Sequence, residues 1–318
     1  MRTVRLRAHA KINLSLRITG TRPDGYHDLR TVYQTLALHD EVTLVERPGP
    51  FVIECDDWRV PRDRSNLVWR AAALLWSSTG REGDPQGVAV SIVKRIPVQG
   101  GLGGGSSDAA AALRGLAALW GVDTARDYLV PLGARVGADV AFFLVGGAAL
   151  GLDRGDQLYP LADLRPLAIV LLMPAFGVST ADAYGWFDAW RGSGTTIAPR
   201  GAGRVPCEWP PSAALVTNDL EAPVVARHPA IGEYVALLRE AGAEAAAMSG
   251  SGSTVFGVFA SMTAARAAAA AAARRGIAVI RTKTIGRDEY ARSSRARVVS
   301  RRTSKGDVVP LLGVGYAR

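Results

Sequence analysis

Residues 100–113 read GGLGGGSSDAAAAL: five glycines among the first six positions, then two hydroxyls and a carboxylate ahead of an alanine-rich run. Glycine lacks a Cβ, so a backbone built from it can approach a ligand closely. A helix starting immediately afterwards presents unpaired N–H groups and the positive end of its dipole. Together these make a main-chain site for phosphate. A flexible loop closed by a Ser or Asp N-cap is the plainer alternative. Two familiar designs do not fit. A P-loop ends in Gly-Lys-Ser/Thr, and the chain contains no Gly-Lys. The dinucleotide fingerprint begun at Gly101 would require glycine or alanine where Ser106 stands.

Three further positions could carry chemistry. Lys11 is one of four lysines against 34 arginines, a compact ammonium kept in the middle of an apolar stretch. It is either a catalytic cation or a lysine on the polar face of an edge strand, reaching out to water. Asp139 opens the apolar run ADVAFFLV, where a base or an ordinary cap or turn residue would each fit. Tyr26 and His27 follow Gly25: an aromatic ring on which a pyrimidine can stack and an imidazole that can bond a base edge, or simply a cover for a strand end. Asn13, two residues after Lys11, shares its strand face.

These residues need a scaffold. VRLRAHAKINLSLRIT alternates with period two and predicts a strand; TRPDGYHD reads as a turn. TVYQTLAL, EVTLVE and FVIEC are separate strand candidates, and NLVWRAAALLW is a helix for which Asn66 is a plausible cap. VAVSIVKRI is a strand ended by Pro97, and SSDAAAALRGLAALW is a helix stopped by Gly121. The segment from Ala125 gives a short helix and then apolar strand material through residue 152. Beyond it come the buried strand LAIVLLMP, a Gly/Pro/Thr-rich loop over 191–212 and the helix HPAIGEYVALLREAG. The strand–turn–strand AEAAAMSGSGSTVFGVF, an alanine-rich helix and the strand GIAVIRTKTI complete the pattern. Strands mixed with helices without regular alternation predict an α+β fold in two lobes.

PVQGGLGGGSSDAAAAL resembles the second motif of the GHMP kinase superfamily, and AMSGSGSTVFGVF is similar to its third. AKINLSLRITGTRPDGYHDLRTVYQ resembles the N-terminal signature of the branch whose acceptor is a cytidine-diphosphate-linked methylerythritol. The resemblance covers about residues 4–285. It implies an N-terminal domain (1–155) with the phosphate loop and catalytic residues, a C-terminal α/β domain (156–286) and an active site in the cleft between them. It also implies an ATP-dependent kinase acting on the C2 hydroxyl of that small-molecule substrate, with Mg²⁺ whose ligands it leaves unassigned. Pro97, Val98, Gln99, Gly100, Gly101, Leu102, Gly103, Gly104, Gly105, Ser106 and Ser107 become the ATP-phosphate loop. Lys11 and Asp139 become the catalytic pair; Ala141 replaces a usual proline in the latter's motif. Asn13 goes to the erythritol end, Tyr26, His27, Thr180 and Tyr184 to the cytidine, and Asn66 to the adenine side.

Composition bounds the rest. The net charge is +9, yet residues 274–305 hold eleven Lys and Arg against Asp288 and Glu289, leaving 27 basic and 27 acidic residues elsewhere. Basicity is therefore local, and residues 287–318 read as a basic tail, solvated or disordered. Tyr290 is its one aromatic before residue 305, which weakens a nucleic-acid reading. Removing the chain after Gly286 is expected to leave kinase activity intact. Other GHMP kinases of small alcohols, and nucleic-acid binding through the tail, are the competing functions. Cys55 and Cys207 have no metal or redox spacing and read as free thiols of a reducing compartment. The N-terminus lacks a secretory pattern, and the longest apolar stretch is too short to span a bilayer; a cytoplasmic protein with no membrane partner is expected.

Overall fold

Alternating apolar residues from Val4 to Leu16 form β1 (Arg2–Thr21), and the turn at Pro23-Asp24-Gly25 returns the chain as β2 (His27–Pro50). In this computed structural model, which describes residues 1–124, 128–192 and 216–300, the two strands pair antiparallel along most of their length. TVYQTLAL and EVTLVE, expected as separate strands, lie within β2 because β1 offers a partner long enough for both. β3 (Val52–Cys55), α1 (Leu67–Ser78), β4 (Gln86–Val93) and α2 (Gly104–Trp120) follow, then α3 (Leu129–Val136), α4 (Ala138–Val145), β5 (Ala148–Asp153) and β6 (Gln157–Pro160).

The C-terminal half contains β7 (Ala168–Met173), α5 (Thr180–Gly192), β8 (Thr217–Asn218), α6 (Glu221–Arg227) and α7 (Pro229–Glu240). β9 (Ala245–Met248), β10 (Val255–Phe259), α8 (Met262–Arg274), β11 (Ala278–Lys283), α9 (Arg287–Ser293) and β12 (Arg297–Ser300) complete it. An eight-stranded sheet runs β12-β1-β2-β4-β3, with β5 also on β2, β6 on β5 and β8 on β1. The second sheet is antiparallel, in the order β11-β7-β10-β9. Ile12, Leu14, Leu36 and Leu102 of the first unit share one apolar cluster with Leu171 and Phe256 of the second. That shared core fixes the walls of the cleft between them.

Two expectations are corrected. ADVAFFLV is helix α4, not strand material. A short apolar run carries no period that separates the two, and here Gly137 and Gly146 bound it while Asp139 sits favourably in its first turn. The basic segment is no tail as far as residue 300. β12 pairs with β1, and the Tyr290 ring is buried against Gly146, its hydroxyl bonded to the Phe143 carbonyl. Arg287 donates to the carbonyls of Ala148 and Leu161, so this basic residue serves as a structural donor. Truncation after Gly286 is therefore expected to lower the melting temperature and solubility of the enzyme, which a thermal melt checks; an unchanged melt would mean the segment is dispensable. Residues 301–318, most of the 191–212 loop and Cys207 lie outside the described residues; Cys55 is buried and free.

Candidate active site

The glycine run resolves into a loop over Pro97–Gly103 feeding α2. Gly103 is the N-cap at φ 72°, a conformation that costs any other residue, and no side chain caps the helix. The ladder begins with Ser107 N–H donating to Gly103 O at 2.9 Å. The N–H groups of Gly104, Gly105 and Ser106 are thereby left without intrahelical acceptors. Those three residues line a cleft of about 1260 Å³, together with the rest of the loop from Pro97. A Cβ on Gly105 would meet no protein atom within 4 Å. Gly101, at φ 71°, touches the turn between β9 and β10 so closely that a Cβ would overlap the Ser249 carbonyl. Ser249 Oγ donates to Gly101 O at 3.0 Å and Thr254 N to Gly100 O at 3.2 Å. One lobe thus clamps the glycine loop of the other.

Lys11 stands at an irregularity of the β1–β2 ladder, its own N–H turned to Leu102 O at 3.0 Å. It is 4% exposed, which rules out the edge-strand alternative. Its ammonium donates to Asn13 Oδ1 at 2.7 Å and lies 3.5 Å from Asp139 Oδ2. Asn13 passes the chain of bonds to Thr31 at 2.7 Å, so both side chains of this strand face are fixed. Asp139, in the first turn of α4, remains 30% exposed to the cleft. A buried ammonium thus faces an accessible carboxylate beside the glycine loop.

At the other end of the cleft, His27 donates from Nε2 to Asp188 Oδ1 at 2.8 Å and stacks on Tyr184 with ring centroids 4.8 Å apart. Burial, and then the charge of Asp139, raises the Tyr184 phenol above its ordinary value. Tyr26 is 58% exposed at the rim, with the Arg154 guanidinium over its ring. Thr180 begins α5 and reaches Ser251 at 3.4 Å.

The structure therefore brings Lys11, Asn13, Tyr26, His27, Asn66, the loop from Pro97 to Ser106, Asp139, Thr180 and Tyr184 to one cleft. Ser107 departs from the group: it is 1% exposed, off the cleft, with its hydroxyl unpartnered in the interior. Asn66 caps α1 through Oδ1 to Val68 N at 2.8 Å and gives its amide to Pro61 O at 2.5 Å, so its side chain is engaged before any nucleotide arrives.

Sequence reading missed Tyr33, Asp188 and Asn218. Tyr33 OH donates to Asp139 Oδ1 at 3.1 Å. Asn218 holds the β9–β10 turn by donating to Met248 O at 2.8 Å and Gly250 O at 2.7 Å. None of the three carries a local signal, because each partner is distant in sequence.

Beside the loop, Lys94 and Asp108 also line the cleft, and Lys94 Nζ pairs with Asp40 and, at 2.8 Å, with Asp108 Oδ2. Asp40 also accepts the N–H groups of Arg95 and Ile96, which keeps its charge satisfied. Asp108 leaves Oδ1 without a partner. Burial, opposed by Lys94 but aided by the Asp40 charge, pushes the Asp108 carboxyl up to about 7. Between its unfolded value and about 7 the unfolded chain loses this proton while the folded one keeps it. Stability should thus fall as pH rises through that window and level off above it. Asp108→Asn does not titrate, so the fall in melting temperature between pH 4 and pH 8 is expected to be smaller in the variant than in the parent. Parallel slopes over that range would contradict this.

Two family models match the chain: the GHMP kinases N terminal domain over residues 66–147 and the GHMP kinases C terminal over residues 211–278. With this fold and loop, the class is defined: the chain is a GHMP kinase. The 4-diphosphocytidyl-2-C-methyl-D-erythritol kinase of Synechococcus sp. (strain JA-3-3Ab) is 43% identical over 82% of this chain and 87% of its own length. That of Anaeromyxobacter dehalogenans (strain 2CP-C) is 45% identical over 90% and 92%. A crystal structure of 4-(cytidine 5'-diphospho)-2C-methyl-D-erythritol kinase matches with TM-score 0.66 and 33% identity, covering 89% of this chain and 99% of that one. The homoserine kinase of Cytophaga hutchinsonii, at 19% identity and TM-score 0.66, shares the fold. The chain belongs to the 4-diphosphocytidyl-2-C-methyl-D-erythritol kinase family.

Proposed function

We propose that the enzyme transfers the γ-phosphoryl group of ATP to the C2 hydroxyl of 4-diphosphocytidyl-2-C-methyl-D-erythritol, giving the 2-phosphate and ADP. This is a step of the non-mevalonate (methylerythritol phosphate) route to isoprenoids. The observation that carries the reading is the meeting of three features in one cleft: a bare helix N-terminus, a Lys11–Asp139 pair and an aromatic–imidazole pocket.

Phosphoryl transfer asks chiefly for positioning and charge stabilisation. The N–H groups of Gly104, Gly105 and Ser106 hold the phosphates of ATP, with its adenine towards Asn66. Asp139 accepts the proton of the C2 hydroxyl as that oxygen bonds to the γ-phosphorus and the bond to the ADP oxygen breaks. Lys11, 3.5 Å from Asp139, draws the reacting oxygens together through its charge. Asn13 holds the erythritol end. Tyr26, Tyr184 and Thr180 enclose the cytidine. His27, with Nε2–H committed to Asp188, keeps Nδ1 as an acceptor for the base's amino group.

Mg²⁺, when bound, neutralises charge on the β- and γ-phosphate oxygens. Mg²⁺ typically takes few protein oxygens beside phosphates and water. The donor set suits that mode: Ser106 lines the cleft at the start of α2, and among the described residues no group of three His, Cys, Asp or Glu could hold an ion alone. Ser106 would be its protein ligand. The functional units are residues 1–155 and 156–286, with α9 and β12 added to the first. A cytoplasmic location, where ATP is supplied, is part of this proposal.

A coupled assay for ADP release tests the reading. The cytidylylated methylerythritol should turn over, while galactose and homoserine should not, and calorimetry should detect CDP binding. Turnover of homoserine with no affinity for CDP would overturn it in favour of another small-alcohol kinase.

A further inference from the structure

The geometry points to Tyr33 as a positioning residue: its hydroxyl fixes one oxygen of Asp139 and so aims the other at the acceptor. The inference rests on the proposed role of Asp139 as base. Tyr33 lies in the first third of β2, opposite Asn13 in register, and is 2% exposed where it lines the cleft. Its OH donates to Asp139 Oδ1 at 3.1 Å, while the Lys11 ammonium stands 3.5 Å from Oδ2. Each carboxylate oxygen thus has its own partner, a hydrogen-bond donor for Oδ1 and a charge for Oδ2. With Lys11 alone, at the longer distance, the carboxylate could rotate about its Cβ–Cγ bond. The phenol removes that freedom and leaves Oδ2, on the ammonium side, for the substrate hydroxyl.

The fold is shaped to hold this ring. Tyr33 stacks on Phe142 at 4.7 Å with planes 26° apart. Phe142 lies three residues after Asp139 on α4, so one helix supplies both the carboxylate and the seat of the ring that restrains it. Opposite, a Cβ on Gly151 would come within 2.7 Å of Tyr33 Cε2, and one on Gly155 would overlap the hydroxyl. Two side chains are absent where the ring and its OH need room. Burial, and then the charge of Asp139, raises the Tyr33 phenol well above its ordinary value, so it stays a donor. The charged and titratable groups around the pair are Lys11 from β1, Tyr184 from α5 and Asp156 after β5, with Arg135 of α3 also on the cleft.

Tyr33→Phe keeps the ring and its stacking and removes the hydrogen bond. Hydrogen bonds to charged groups are worth enough that kcat is expected to fall about 10-fold, with KM for ATP unchanged. The acid limb of the kcat profile should move up, because the carboxylate has lost a donor. A purely structural tyrosine would shift neither. The same shift is read without substrate by ¹³C-aspartate NMR titration of Asp139, assigned with Asp139→Asn. If the parent enzyme failed to turn over the cytidylyl substrate, the proposed function would fall while this titration still decided the role of Tyr33. Should Tyr33→Phe not fold, 3-fluorotyrosine at position 33, a stronger donor, is expected to move the Asp139 titration down. An Asp139 titration unchanged in either variant overturns the inference.

Discussion

Asp139→Asn is expected to lower kcat by about 10²- to 10⁴-fold, the usual contribution of a positioned base, with the ATP dissociation constant unchanged. Asparagine keeps the shape of the side chain and an oxygen that can still accept from Tyr33 OH. It loses the charge that balances Lys11 and that, in the proposed mechanism, takes a proton from the acceptor hydroxyl. Fold stability should fall as well, because Lys11, 4% exposed, loses the carboxylate opposite it and keeps Asn13 as a hydrogen-bond partner. Single-turnover kinetics with saturating ATP separate the two effects. A variant that binds ATP weakly yet retains the chemical rate would move Asp139 from base to nucleotide ligand.

Gly101→Ala is expected to cost both stability and ATP affinity. The left-handed backbone at φ 71° disfavours any Cβ by roughly 1–2 kcal/mol. The added carbon also overlaps the main chain at Ser249 and would come 2.9 Å from Gly252 O and 3.0 Å from Gly252 N. Those are backbone atoms and cannot swing away, so the loop itself must shift. The Ser249-to-Gly101 and Thr254-to-Gly100 hydrogen bonds weaken with it, about 1 kcal/mol each. A loss of about 2–3 kcal/mol in loop placement corresponds to a KM for ATP about 30- to 150-fold higher. Gly105→Ala is the control: its Cβ meets no protein atom, so the melting temperature should hold while ATP binding falls. Equal behaviour of the two variants would mean that the clamp by the second lobe is irrelevant to the nucleotide.

What the sequence made legible follows from range. Glycines, hydroxyls and an alanine run locate the start of α2 within about ten residues, but the helix begins at Gly104, two residues before the expected start at Ser106, because Gly103 itself serves as the cap. Asn66 announced a cap, and the structure places it there. Lys11 stood out by residue type, but its burial depends on Leu102 and α4, far along the chain, which left an edge-strand lysine equally plausible from the sequence. Tyr33, Asp188 and Asn218 could not be found locally, since their partners are Asp139, His27 and the turn after Met248. The segment from Arg287 to Ser300 misled by composition: its arginines hide a buried Tyr290 and a strand that β1 completes. Net charge reports solubility and partners, not whether a segment packs.

The most direct test is a crystal structure with a non-hydrolysable ATP analogue and CDP bound together. The account predicts the triphosphate within hydrogen-bonding distance of the amides of Gly104, Gly105 and Ser106, its terminal phosphorus turned towards Lys11 and Asp139, and cytosine beside Tyr26 and His27. A triphosphate seated away from the start of α2, with those amides meeting only water, would contradict it.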